Sequence, residues 1–128
     1  MIGSTAKQNS KRTKVMNRPN PLKLNKLQAR TLVLAQVIAR DSQSASTDPA
    51  TGEVTLHRVP HAHGDHVHVG AFTVHARDAS GFANPAVWVA LARKGLVKSP
   101  DPHAIVLTPE GVVYDTGLGD QFLSHSDH

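Results

Sequence analysis

Apolar residues recur at helical spacing near the start of the chain and predict an amphipathic helix over residues 26–40. Asn25 can cap this helix, and Gln28 lies three residues later, where its side chain can reach back to the cap. The polar stretch 41–48 and the following Pro49 are expected to end the helix. The stripe that would face the core consists of Leu24, Leu27, Leu34, Val37 and Ile38.

The alternation of apolar and polar residues changes to a period of two from Glu53 onward, which is typical of strands. Two strands are predicted, over residues 53–63 and 66–76. The dipeptide at 64–65 is Gly-Asp and would join them, because glycine at the first central position favours a tight hairpin turn. This part of the chain is therefore expected to be a β-hairpin.

A second helix is predicted over residues 85–94. Asn84 can cap it, Pro85 suits its first position, and Gly95 is a typical helix terminator. Residues 77–82, which precede it, are expected to form a turn or one short helical segment.

The C-terminal part of the chain predicts a second hairpin, because residues 96–97 and 104–107 flank a proline-containing loop at 99–102. Residues 91–97 read LARKGLV, and residues 105–111 read IVLTPEG. These segments resemble the core of winged-helix transcription regulators, in which a helix ends in Lys-Gly-Leu, a two-stranded wing follows and Leu-Thr-x-x-Gly closes it. The resemblance implies a small α+β winged-helix-like domain with a leading helix, a histidine-rich β-hairpin, a second helix and a C-terminal wing-like hairpin.

The chain has 128 residues, 39% of them hydrophobic, which is the size of one domain with a modest core. We expect a disordered basic arm over residues 1–21, a single α+β domain over residues 22–122 and a frayed tail over residues 123–128. Charge is unevenly distributed. Residues 1–40 hold nine basic and no acidic side chains, whereas residues 41–128 hold five basic and ten acidic ones.

The basic arm is expected to attract polyanions, and nucleic acid is the commonest partner of a cationic tail on a small domain. A solubilising tail without a specific partner is the alternative. The candidate phosphate-contacting residues are Lys7, Lys11, Arg12, Lys14 and Arg18 in the arm, and Arg93 and Lys94 at the end of the second helix.

The exposed side of the second helix is predicted to be largely apolar. Its last two residues are basic, but the helix offers nothing else polar to read a base edge, so sequence-specific recognition in the major groove is doubtful. An apolar side also suits a protein contact or a dimer interface. If Trp88 and Leu91 face the core, the outward stripe consists of Ala86, Val89 or Ala90, and Arg93.

Histidines are concentrated in the predicted hairpin. If residues 64–65 form the turn, His63 lies opposite His66, and His61 lies opposite His68 on the same face. Neutral imidazoles brought together in this way suit Zn²⁺ or a similar borderline metal. A solvent-exposed hairpin or a proton-sensitive face are the alternatives. The candidate metal ligands are His61, His63, Asp65, His66 and His68.

The string His61-Ala-His63-Gly-Asp65-His66 also resembles the His-x-His-x-Asp-His motif of the metallo-β-lactamase superfamily, which holds a hydrolytic zinc or iron pair. The chain departs from that family in three ways. It is short for a four-layer αββα fold, and a predicted strand follows the motif where the family has a helix. Its Asp-Thr-Gly sequence, at 115–117, follows the motif, whereas the family's precedes it. We therefore do not carry the hydrolase activity over.

The favoured hypothesis is a small non-enzymatic regulatory or nucleic-acid-associated domain. A metal-binding module on the histidine-rich hairpin and a protein-interaction domain, bound to itself or to another protein through residues 85–94, are the alternatives. The chain has no cysteine, which excludes disulfides and thiolate metal sites. It also has no apolar run long enough to span a bilayer and no signal-peptide pattern, so we expect a cytoplasmic protein without a membrane partner.

Overall fold

A computed structural model describes residues 19–57, 62–63, 66–69, 72–118 and 124–125 of the chain. Helices and two antiparallel sheets are present, so the protein belongs to the predicted α+β class. In chain order the elements are α1 (Lys26–Ala39), β1 (Ala45–Thr47), β2 (Val54–Leu56), β3 (Ala62–His63), β4 (His66–Val69), β5 (Phe72–His75), the 3-10 helix η1 (Ala76–Ala83), α2 (Pro85–Arg93), β6 (Val106–Leu107), α3 (Pro109–Val113) and β7 (Ser124–His125).

Helix α1 lies at the centre of the core. The predicted capping box is present, because the Asn25 side chain accepts from the backbone N–H of Gln28 and the Gln28 side chain accepts from that of Asn25. All residues from 31 to 38 are buried, polar ones included. The helix was predicted to be amphipathic, but the first sheet, η1, α2 and α3 all contact it, which leaves its central turns without a solvent face.

The first sheet contains three antiparallel strands in the order β1-β2-β6. Ala45 lies opposite Leu56, and Val54 lies opposite Leu107. All four side chains are buried, and β2 packs against α1. This sheet therefore covers one side of the central helix.

The second sheet has the order β3-β4-β5-β7 among the described residues. The prediction of one continuous strand over residues 53–63 was wrong, because β2 belongs to the first sheet and β3 to the second. Pro60 lies between these strands in the sequence and has no backbone N–H for a sheet ladder. This proline is therefore the feature of the local sequence that indicates a break between the two strands.

The prediction of one strand over residues 66–76 was also wrong. Strands β4 and β5 pair with each other, with Val69 opposite Phe72. Only the dipeptide Gly-Ala at 70–71 separates them in the sequence, and a glycine there favours a tight reversal of the chain. The predicted hairpin is thus followed by a second one, and the strand alternation continues through both.

Segment η1 and helix α2 pack on α1 as one unit. The predicted short helical segment is η1, and Gly81 within it approaches Thr31 so closely that a Cβ would overlap the threonine Oγ1. The fully buried Trp88 donates from its indole Nε1 to the carbonyl of Phe82 at 3.0 Å. The close approach to Thr31 explains why position 81 is a glycine.

Helix α2 has the predicted ends. The Asn84 side chain accepts from the backbone N–H of Ala86, and Pro85 is the first residue of the helix. Gly95 has a φ of +77°, and the backbone N–H of Leu96 donates to the carbonyl of Leu91 at 2.9 Å. Together these features form a Schellman motif that ends the helix.

The predicted wing-like hairpin after α2 is small. Val97 forms an isolated bridge with Leu107, and the backbone N–H of Lys98 donates to the carbonyl of Val106 at 2.8 Å. The Thr108 side chain then caps α3 by accepting from the backbone N–H of Gly111.

A buried glutamine fixes α3 and the segment after it to α1. The side-chain Nε2 of Gln36 donates to the carbonyls of Gly111 and Tyr114, both at 2.9 Å.

Among the described residues, no helix combines the length and apolar character that crossing a bilayer would require.

Candidate functional site

Residues 20–22, at the boundary between the predicted basic arm and the domain, are fixed to the domain around Tyr114. The Tyr114 hydroxyl donates to Oδ1 of Asn20 at 2.6 Å and accepts from the backbone N–H of Leu22 at 2.8 Å. The backbone N–H of Asn20 also donates to the carbonyl of Asp115 at 2.7 Å. Asn20 has a φ of +55°, in the left-handed region that asparagine tolerates better than most residues. Pro19, the first described residue, therefore sits next to a well-defined anchor.

This anchor lies beside the basic end of α2. The Lys94 Nζ donates to the carbonyl of Leu22 at 3.1 Å. Arg93 and Lys23 are the sequence neighbours of these two contacting residues, and all three basic side chains are exposed. Asp115 is an exposed acidic residue of the same region, and its carboxylate accepts from a backbone N–H two residues later. Three basic residues therefore lie at this contact or next to it in the sequence.

Lys23 was missing from the predicted set of phosphate-contacting residues. No local pattern connects it with α2, because the contact joins residues 22 and 94. The predicted residues Arg93 and Lys94 are exposed at the helix end, as expected. The remaining members, Lys7, Lys11, Arg12, Lys14 and Arg18, lie outside the described residues.

The outward side of α2 is as apolar as predicted. Trp88 and Leu91 are fully buried, whereas Ala86 is exposed and Val89 retains 40% of its accessible surface. Among the exposed side chains of this helix, those that can form hydrogen bonds are confined to its C-terminal end. The helix can contact phosphates there, but its middle offers no donors or acceptors to a base edge.

The backbone register places four histidine positions on one face of the second sheet. His63 lies directly opposite His66, as predicted for a turn at 64–65, and His66 lies directly opposite His75 on its other side. His68 follows His66 by two residues on β4, so it shares the same face. His66 is the centre of this group, because each of the other three is one of its nearest neighbours.

The alternation along β5 shows that this histidine face points away from the core. Val74 is 1% exposed and pairs with Val67, whereas His75 is exposed. Among the residues whose side chains the structure describes, no group of three or more His, Asp or Glu that could hold a metal ion is found. The structure describes positions 63, 66 and 68 as backbone, so their place on the face follows from strand pairing.

His75 was missing from the predicted set of metal ligands. The signal that could have included it is the glycine at position 70, because a glycine directly after the first of two strands favours a reversal of the chain, and the two strands pair with His75 opposite His66. Two predicted ligands, His61 and Asp65, lie outside the described residues.

A comparison of this chain with protein-family models, curated proteins and solved structures finds no match. The resemblances to winged-helix regulators and to the metallo-β-lactamase motif therefore rest on their own short segments. The contact of Lys94 with Leu22 and the strand pairing of His66 are structural observations that do not depend on these resemblances.

Proposed function

We propose that this chain is a small non-enzymatic, nucleic-acid-associated protein of the cytoplasm that contacts phosphate groups rather than base edges. The contact between Lys94 Nζ and the carbonyl of Leu22, at 3.1 Å, carries the proposal. It joins the segment that follows the basic arm to the basic end of α2. The arm and the helix end can then bind along one phosphate backbone.

The distribution of charge supports this assignment. Residues 1–40 contain nine basic and no acidic side chains, and Arg93 and Lys94 add two cations at the anchor of the arm. Residues 41–128 contain ten acidic side chains against five basic ones. A polyanion is therefore expected to be attracted to the N-terminal part of the chain more strongly than to the rest.

The apolar outer side of α2 defines the kind of binding. Ala86 and Val89 occupy positions where a recognition helix needs hydrogen-bonding side chains. Contacts from Lys and Arg to phosphates position a protein on a duplex without reading its sequence. We therefore expect an affinity that depends steeply on salt and weakly on base sequence.

The order of the elements supports a winged-helix-like organisation. Helix α2 is followed by Gly95 and by the bridge between Val97 and Leu107, which would be a minimal wing. Leu107 also lies opposite Val54, so this wing would be continuous with the first sheet. The second sheet would then be an insertion between the leading helix and α2.

Binding of a short fluorescent DNA duplex, measured by anisotropy, tests the proposal. Between about 50 and 200 mM salt, we expect the affinity to fall about a hundredfold or more, as for at least four phosphate contacts. Deleting residues 1–18 is expected to remove most of the binding. A duplex of scrambled sequence is expected to bind equally well.

Substitutions at the helix end test the contribution of the folded part. Arg93→Gln and Lys94→Gln are each expected to reduce the slope of log affinity against log salt by about 1. Lys98→Gln is the matched control, because Lys98 Nζ already lies 3.2 Å from the Glu53 carboxylate. An absence of binding at low salt, or equal losses in all three variants, would reject the proposal.

A protein contact is the second candidate, and the exposure of Val89 favours it. A valine with 40% of its surface accessible, next to the exposed Ala86, forms an apolar strip on the outside of α2. Sedimentation over a concentration range measures self-association through this strip. Val89→Gln is expected to abolish any such association and, because it changes no charge, to leave binding of the duplex intact.

A further inference from the structure

We propose that the histidine face, defined by the positions His63, His66, His68 and His75, binds one borderline divalent metal ion of the Zn²⁺ type. The proposal rests on strand register, in which two histidine positions flank His66 on neighbouring strands and a third follows it on the same strand. It uses none of the residues assigned to phosphate binding.

The spacing of these positions suits a single shared ion. Neighbouring strands lie about 4.8 Å apart, and residues two apart on a strand are separated by about 6.7 Å. A Zn–N bond is about 2.0–2.1 Å long, and the imidazole ring adds several ångströms of reach beyond the backbone. The four positions are therefore close enough together on the backbone for one ion to be shared by three of them.

The chemistry of the four positions selects the class of metal. Imidazole nitrogen suits Zn²⁺, Cu²⁺ and Ni²⁺, whereas Ca²⁺ and Mg²⁺ require oxygen ligands, which none of these four side chains provides. The chain also contains no cysteine to compete as a thiolate ligand. Three histidines with a water molecule, or four histidines, complete the tetrahedral coordination that Zn²⁺ prefers.

The sheet gives the histidine face a firm support. The opposite side of β5 carries Val74, which is 1% exposed and lies opposite Val67. Because these two positions share the face that packs on the core, the register of β4 and β5 is tied to the hydrophobic pattern. A slip by one residue would bury His75 and expose Val74, so the histidine positions are held in one arrangement.

Metal binding would also stabilise the folded chain, because the strand pairing is what brings these histidine positions together. A bound metal requires neutral imidazoles and displaces their protons. We therefore expect metal binding to raise the thermal stability of the domain and to weaken as the solution becomes acidic.

Titration of the full chain with Zn²⁺ against a chromophoric chelator tests the proposal, with any polyhistidine tag removed. We expect one tight site per chain and, with Co²⁺, the visible absorption of a tetrahedral ion. The loss of a residue that only orients a metal ligand lowers metal affinity by about 10–100-fold. His66 is proposed as a ligand itself, so His66→Ala is expected to lower the Zn²⁺ affinity by at least about 100-fold.

Two further variants keep the outcome interpretable. His75 is exposed, so His75→Gln is expected to fold normally and to weaken Zn²⁺ binding at least about tenfold. His103→Ala is the matched control, because the His103 side chain is 92% exposed and lies outside the second sheet. The proposal is wrong if the natural chain binds no Zn²⁺, or if His75→Gln binds it as tightly as His103→Ala does.

Discussion

The hydroxyl of Tyr114 lies 2.6 Å from Oδ1 of Asn20, which precedes it by 94 positions in the chain. The same hydroxyl accepts from the backbone N–H of Leu22. One phenol oxygen therefore joins the segment before α1 to the segment after α3. This junction also holds the carbonyl of Leu22 within reach of Lys94.

Tyr114→Phe removes that oxygen and keeps the ring. We expect the free energy of unfolding to fall by about 0.5–1.5 kcal/mol, the usual contribution of such hydrogen bonds, as measured by urea denaturation. Val113→Ala is the control, because Val113 is 78% exposed and is expected to change stability by less than about 0.5 kcal/mol. Equal stability of Tyr114→Phe and the natural chain would show that the junction contributes nothing.

Gly81→Ala introduces a Cβ that overlaps Oγ1 of Thr31. We expect a loss of about 1–3 kcal/mol, because the crowded atoms must move apart within the core. Adding Thr31→Ala removes the obstructing oxygen. The loss of unfolding free energy in the double variant is therefore expected to be smaller than the sum of the two single losses by about 0.5 kcal/mol or more. Thermal unfolding of the four proteins measures this coupling, and strict additivity would contradict the observed contact.

Gln36→Leu removes the donor for the carbonyls of Gly111 and Tyr114. We expect a loss of at least about 1–3 kcal/mol, because acceptors in this largely buried region are left without a partner. Urea denaturation measures the loss. A stability within about 0.5 kcal/mol of the natural chain would show that water replaces the amide.

Gln36→Glu extends the same test to pH. Burial opposite two carbonyl oxygens is expected to raise the pKa of the introduced carboxyl above about 4.3, its value in the unfolded chain. A raised pKa in the folded state means that the stability deficit of the variant is smallest in acid and grows as pH rises. Unfolding measured relative to the natural chain at about pH 4 and about pH 7 tests the sign.

Two ion pairs have the same N–O distance but differ in burial, so they are expected to contribute differently to the free energy of unfolding. Arg30 Nη1 lies 3.2 Å from Asp78 Oδ1, with side chains 30% and 9% exposed, whereas Lys98 and Glu53 pair at 3.2 Å with 61% and 24% exposed. Asp78→Asn is expected to cost about 1–3 kcal/mol, because the ion pair that it breaks is the more buried of the two. Glu53→Gln is expected to cost less than about 1 kcal/mol. Equal losses in urea denaturation would contradict this ranking.

The ends of the helices could be predicted from the sequence because each signal lies within a few residues of its effect. The capping pair Asn25 and Gln28 fixed the start of α1, and Pro85 and Gly95 fixed both ends of α2. The burial of α1 on all sides could not be predicted, because it depends on elements far along the chain. The partners of Gln36, for example, lie 75 and 78 positions away.

The same difference between local signals and distant contacts applies to the two candidate sites. The pairing of His63 with His66 followed from one local turn, whereas the place of His75 required a second turn that the strand alternation conceals. Alternation reports that residues are extended, but it contains no information about where one strand ends and its partner begins. For this reason Lys23, next to the Leu22 carbonyl that Lys94 contacts, and His75, which lies opposite His66, were absent from the predicted sets.

Strand β7 pairs with β5 along the border of the second sheet, where Phe72 lies opposite His125 and Thr73 lies opposite Ser124. A chain shortened to end before these last residues would leave the backbone amides and carbonyls of β5 without that neighbour. An exposed edge strand of this kind can pair with a strand of another molecule, so such a truncated protein would be prone to aggregate.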